Sequence, residues 1–247
     1  MSYLSIQQAS RVSGRDDLSR LNFTLSIQPT RPFDLIMQRV DHVHQLFQFL
    51  SAGDASSCSG VLQAMEESGE SVASRCEAIA SAFHLIGEVW ESGDVAVYRE
   101  HVASQIGQRL IHEMLANLDF APSDAPVAVG CAPEKDPYVL PTTMVELVLR
   151  DLGWQASSLG AGLPLDQLRL AIDHYQPKIA WVSVSYTESP ADAQRALAEL
   201  QTHCRERSTH LVCGGRALPG EIRATTGLAC LENLPQLVEF ARGVCEA

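Results

Sequence analysis

Between residues 127 and 245 the chain switches repeatedly between a short apolar run and a longer stretch of helical period. That alternation constrains the fold more than any other feature. A strand buried on both faces reads as a near-continuous apolar run. An amphipathic helix then returns the chain so that the next strand pairs in parallel. Residues 127–130, 154–159, 179–184, 211–213 and 229–231 read as strands, and residues 142–152, 164–175, 190–205 and 234–245 as helices. Five such strands with helices on both faces predict a flavodoxin-like, Rossmann-like doubly wound parallel sheet over residues 127–247.

The preceding stretch has a single period. Leu35, Ile36, Val40, Val43, Leu46, Phe47 and Leu50 recur at close to 3.6 residues. Val61, Leu62 and Met65 mark a second helix, and Ile79, Phe83, Ile86, Val89 and Trp90 a third, ended by Ser92-Gly93. Asp94 is placed to cap a fourth, running to about Leu118. Four helices with short connections over residues 33–119 predict a bundle. Residues 120–126, with two prolines, read as a linker. Residues 1–32 form a mixed lead-in. Its segment from Leu4 to Gly14 has the flavour of the first helix of a helix-turn-helix, but no recognition helix follows, so a short amphipathic helix packed on the body is expected. The expected class is therefore α + α/β: a four-helix bundle followed by a flavodoxin-like sheet.

Composition removes several functions. The formal net charge is −12 and no cluster of Lys and Arg occurs, whereas nucleic-acid binding needs a basic surface to displace counterions from phosphate. Direct DNA contact is not expected. The seven cysteines form no CxxC pair, which argues against a disulfide framework or structural zinc and fits a reducing cytoplasm. No secretory leader opens the chain, and no apolar run approaches the roughly 20 residues that span a bilayer. GxGxxG, Walker and GxSxG patterns are missing, which removes the commonest nucleotide-binding and hydrolase readings, and no HExxH metal spacing occurs.

Ligands of doubly wound sheets bind beyond the carboxyl ends of the strands. The segments emerging there are 131–141, 160–163, 183–189 and 213–220. Gly160, Gly162, Gly214 and Gly215 leave the backbone bare enough for a large planar group, and Ser183 and Ser185 offer hydroxyls. Ordinary turn chemistry accounts for the same glycines equally well. In the bundle, Trp90 and the adjacent Glu100-His101 lie on successive helices whose ends a short loop brings together. Two titratable side chains beside an indole are poor core choices unless partnered. His42, His44, His84, His112, His174, His203 and His210 show no metal spacing and read as structural or exposed. Cys131 reads as a buried, inert thiol.

These residues carry a resemblance. A helical bundle followed by a flavodoxin-like domain is similar to the cobalamin-binding half of methionine synthase. It more closely resembles the light-sensing, adenosylcobalamin-dependent MerR-type repressors, whose Trp-x9-Glu-His pattern is matched by Trp90 and Glu100-His101. A chain with this core and no DNA-binding domain also resembles the AerR/PpaA-type regulators of photosynthesis genes, which act on a partner repressor. The resemblance covers roughly residues 35–245. It implies cobalamin as ligand, Trp90 over the upper face of the corrin, Glu100 and His101 near the upper axial group, and Ser183, Ser185, Gly214, Gly215 and Gly160 around the ligand.

The chain departs from that pattern at one loop. The family's Asp/Glu-x-His-x-x-Gly motif supplies the lower cobalt ligand, and it aligns with Asp136-Pro137-Tyr138-Val139-Leu140-Pro141. Asp136 is retained, Tyr138 replaces the histidine and Pro141 the glycine. Imidazole is a good neutral donor to cobalt, whereas a phenol must first lose a proton with a pKa of about 10. Proline also fixes φ, so a different loop path is expected. Three outcomes follow. Cobalamin binds without a protein ligand or with help from Tyr138; a related tetrapyrrole, heme or a linear bilin, takes the slot beside Trp90, His101 and Tyr138; or the domain binds no ligand and serves protein interaction. The role this resemblance implies is non-catalytic, sensory and regulatory, through a protein partner such as a transcriptional regulator; in the MerR-type repressors the response is a change of oligomeric state. A corrinoid carrier for methyl transfer is the alternative.

Overall fold

The computed structural model describes residues 32–91, 97–218 and 228–246, with side chains described from residue 41 and, before the first break, up to residue 89. The lead-in, the Asp94 cap and the side chain of Trp90 lie outside the described residues. Four helices come first: α1 (Pro32–Ala52), α2 (Ala55–Glu67), α3 (Val72–Glu91) and α4 (Val97–Ala116). Asp54 starts α2 by accepting from the Ser57 amide at 3.0 Å and the Ser57 hydroxyl at 2.6 Å, which satisfies a donor that the first turn cannot pair.

The second part alternates as the pattern requires: β1 (Val127–Cys131), α5 (Val139–Asp151), β2 (Gln155–Ser158), α6 (Leu165–Tyr175), β3 (Ile179–Ser183), α7 (Pro190–Glu206), β4 (His210–Gly214), β5 (Ala229–Cys230) and α8 (Leu234–Glu246). The strands form one parallel sheet in the order β2-β1-β3-β4-β5. This is the flavodoxin-like order. Its topological switch lies between β1 and β3, where the loops leaving the two strands diverge and open a crevice.

Side-chain alternation builds two cores. Ala128, Ile179, Trp181 and Val212 face α5, α8 and the bundle, whereas Val129, Cys131, Ala180, Val182, Leu211 and Cys213 face α6 and α7. The first core is continuous from the bundle into the sheet. Leu46, Ile79 and Ile111 belong to the same buried cluster as Leu147 of α5 and Ala241 of α8. The bundle thus sits on the α5 and α8 side, and it needs this face to bury its own apolar stripe.

One element begins earlier than the sequence predicts. Helix α5 starts at Val139 rather than Thr142, so Tyr138 is its N-cap and Pro141 lies in its first turn. The first turn has no intrahelical acceptor for its amides, so a residue without an N–H is accommodated there. Pro141 therefore shapes the helix start rather than a free loop.

Candidate functional site

The crevice at the switch point opens into a cavity of about 590 Å³ between the bundle and the carboxyl edge of the sheet. That volume lies in the range of small-molecule and cofactor sites, roughly 300–1,000 Å³. Its walls come from the bundle, the sheet edge and helices α5 and α8. Helix α4 contributes Glu100, His101, Ser104, Gln105 and Gln108, a polar stripe at helical spacing. Helix α3 contributes Glu77, Ala80, His84 and Gly87 on one face. The sheet side contributes Tyr138, Ser183, Ser185, Gly214, Gly215 and Arg216. Deeper, Met144 and Val145 of α5, Leu234 and Leu237 of α8, and Trp181 and Val212 of the sheet line an apolar recess.

Asp136 holds the crevice in shape. Its side chain is fully buried. One carboxylate oxygen accepts from the Tyr138 amide at 3.0 Å, and the other from the amides of Ser185 at 2.6 Å and Tyr186 at 3.1 Å. Its own backbone carbonyl accepts from the Gly162 amide at 3.1 Å. One acid thereby ties together the loops after β1, β2 and β3. A buried carboxylate needs such partners, because an unpaired charge in the interior is costly.

A second polar chain fixes the floor. The Trp181 indole N–H donates to the Thr142 hydroxyl at 2.9 Å, Thr142 and Ser158 share a hydrogen bond of 3.1 Å, and the Ser158 hydroxyl accepts from the Gly160 amide at 3.2 Å. Trp181 also packs against β1, where a Cβ on Gly130 would fall 2.1 Å from its ring. Gly215 has an equally local reason for being glycine. Its φ is +111°, and a Cβ there would fall 2.2 Å from the Val184 carbonyl oxygen.

Arg216 crosses the mouth. Its Nε donates to the Ser185 carbonyl at 3.2 Å, its guanidinium lies 5.4 Å from the centre of the Tyr138 ring, and Nη2 is 3.5 Å from the Tyr138 hydroxyl. Tyr138 lines the cavity and remains 37% exposed.

Of the residues singled out in the sequence, the structure brings Glu100, His101, Tyr138, Ser183, Ser185, Gly214 and Gly215 to one cavity. Asp136 and Gly160 lie behind it as supports. Cys131 faces α6 and α7, and burial pushes its thiol up to about 12. Sequence reasoning missed His84, the Ser104-Gln105-Gln108 stripe, Arg216 and the apolar recess. The stripe was detectable, since polar residues at 101, 104, 105 and 108 share one face of a bundle helix. Arg216 carried no local signal; the turn after β4 places it.

The residues fit a corrinoid. Among the described residues no group of three or more His, Cys, Asp or Glu side chains converges to hold a free metal ion. A corrinoid brings its cobalt already held by equatorial nitrogens and asks only for a shaped, partly apolar cavity. The bare backbone at Gly214, the polar α4 stripe and the apolar recess meet that need.

A helical part followed by a parallel five-stranded sheet with this cavity has the fold of a cobalamin-binding domain. In the solved structure of the Methanosarcina barkeri monomethylamine corrinoid protein the same architecture recurs, with a TM-score of 0.67 and 14% sequence identity, covering 83% of this chain and 99% of that one. The sequence is 27% identical over 125 residues to the HTH-type transcriptional repressor CarH of Myxococcus xanthus, a match spanning 51% of this chain and 41% of the repressor. The chain thus spans less than half the length of that relative. No protein-family model matches the chain.

Proposed function

We propose that this protein binds a cobalamin between its bundle and its sheet and acts, without catalysing a reaction, as a regulatory module on a protein partner, a transcriptional regulator. The observation that carries the reading is the convergence of Glu100 and His101 from α4 with Tyr138, Ser183 and Ser185 from the sheet edge around one cavity. The sequence similarity to a transcriptional repressor points to regulation. When bound, the corrinoid supplies a cobalt centre whose axial ligand can change. Glu100 and His101 cover the bundle side of the cavity, and Tyr138 and Arg216 the sheet side. The same helices α3 and α4 also pack on α5 through the shared core, so a shift at the cavity reaches the whole bundle. An altered bundle surface is what a partner, or a second copy of the chain, would read.

The lining is acidic, with Glu77, Glu100 and Glu232 against Arg216. That balance favours an amide-fringed corrinoid over a macrocycle bearing free carboxylates. A methyl-transfer carrier is less well matched, because such chemistry leans on a tuned lower ligand and the position carries Tyr138.

The test is uptake. Purified protein incubated with hydroxocobalamin, adenosylcobalamin or heme and then desalted should retain the absorbance of a cobalamin and not of heme. No retained cobalamin sinks the proposal. Tyr138→His, run alongside, should tighten cobalamin binding if the imidazole is all that the loop lacks.

A further inference from the structure

We propose that Arg216 is a ligand-recognition residue of this cavity, donating to oxygen acceptors of the bound corrinoid; the inference rests on the cobalamin reading above. The acceptors are amide carbonyls on the corrin periphery or the phosphodiester of the nucleotide tail.

Position is the first argument. Arg216 directly follows the Gly214-Gly215 turn, and its guanidinium lines the cavity mouth rather than pointing away from the protein. Gly215 is held at φ +111° by the close approach of the Val184 backbone, which fixes the direction in which the next residue leaves the sheet. The guanidinium is then perched on three neighbours: the Ser185 carbonyl at 3.2 Å, the Tyr138 ring at 5.4 Å and, across the mouth, Gly87 of α3, where a Cβ would fall 3.6 Å from Nη1. The fork therefore reaches from the sheet edge to van der Waals range of α3.

Unspent donors are the second argument. A guanidinium carries five N–H groups in a fixed plane. Nε is used on Ser185, Nη2 meets the Tyr138 hydroxyl only at 3.5 Å, and Nη1 makes no hydrogen bond among the described residues. Arg216 is exposed at the cavity mouth, so its remaining donors meet water there and can exchange it for an acceptor on a ligand.

Charge is the third. Among the described residues lining the cavity Arg216 is the one Lys or Arg, opposite Glu77, Glu100 and Glu232. Glu77 already accepts from the Leu234 amide at 3.1 Å. None of the three pairs with Arg216 in a salt bridge. Among the described lining residues, one cation facing three acids gives a ligand a preferred place for its strongest acceptor.

The experiment uses the full chain with Arg216→Gln and Arg216→Lys, titrated with hydroxocobalamin and with dicyanocobinamide, which lacks the nucleotide and its phosphodiester. Melting temperatures of the ligand-free proteins are recorded in parallel. Arg216→Gln should weaken binding by about 10- to 100-fold, the effect of losing hydrogen bonds from a charged donor. Arg216→Lys should recover part of that loss. A loss confined to hydroxocobalamin assigns the contact to the phosphodiester, and an equal loss for both ligands, with unchanged melting temperature, to the amide fringe. Wild-type affinity of Arg216→Gln for both ligands overturns the proposal while leaving cobalamin binding intact. So does a fall in ligand-free melting temperature that accompanies equal losses in both variants, since a brace between loops would give that pattern. If the wild-type protein takes up neither ligand, the cobalamin reading fails and the proposal with it.

Discussion

Replacing Asp136 by Asn tests whether one buried carboxylate holds the crevice together. An amide has one oxygen, and the side chain keeps most by turning it toward the amides of Ser185 and Tyr186, at 2.6 and 3.1 Å; its NH2 group then faces the Tyr138 N–H, at 3.0 Å. Donor faces donor there, and the charge that strengthened the other two bonds is gone. Leaving a buried hydrogen-bonding group unsatisfied costs about 1–3 kcal/mol. For a chain of this size that corresponds to a fall of roughly 3–12 °C in melting temperature, readable by far-UV circular dichroism. Cobalamin uptake should fall as well, because the loops after β1 and β3 then share a weaker anchor. A variant melting within about 2 °C of wild type would show that the carboxylate is not the staple the geometry describes.

Gly215→Ala should destabilise by more than about 3 kcal/mol in a denaturant titration, because a Cβ collides with the Val184 backbone at 2.2 Å in addition to the unfavourable φ. Gly160→Ala, at φ +88° with nothing within 4 Å, should cost only the backbone preference, about 1–2 kcal/mol; equal effects would contradict the steric argument. Burial pushes the thiols of Cys58 to about 11 and of Cys76, Cys131 and Cys204 to about 12. A disulfide reagent at pH 8 should therefore label the exposed Cys245 first and those four only on unfolding, as a thiol with pKa 12 is about one part in ten thousand thiolate at that pH.

Much of this molecule was legible in its residues. Apolar runs at 127–130 and 179–184, flanked by amphipathic stretches of helical length, point to parallel strands with helical crossovers, because parallel neighbours cannot be joined by a hairpin and a helix-covered sheet buries both faces. The strand order agrees with that expectation. Local chemistry likewise marked Glu100, His101, Tyr138 and the Ser183-Ser185 pair as candidates, and they meet at the cavity.

Residue order carries periodicity, and with it the elements, their succession and the residue types at the sheet's edge. Packing settled which of those residues line the cavity and which hold others in place. Asp136 proved to be a strut because its partners, Ser185 and Tyr186, are 49 and 50 positions away. Arg216 reached the mouth because the turn after β4 aims it at Tyr138, 78 positions earlier. Periodicity is a local property, set by the geometry of a turn or a pleat. A cavity is made where chain segments remote in sequence stop short of one another, and no local pattern encodes that distance.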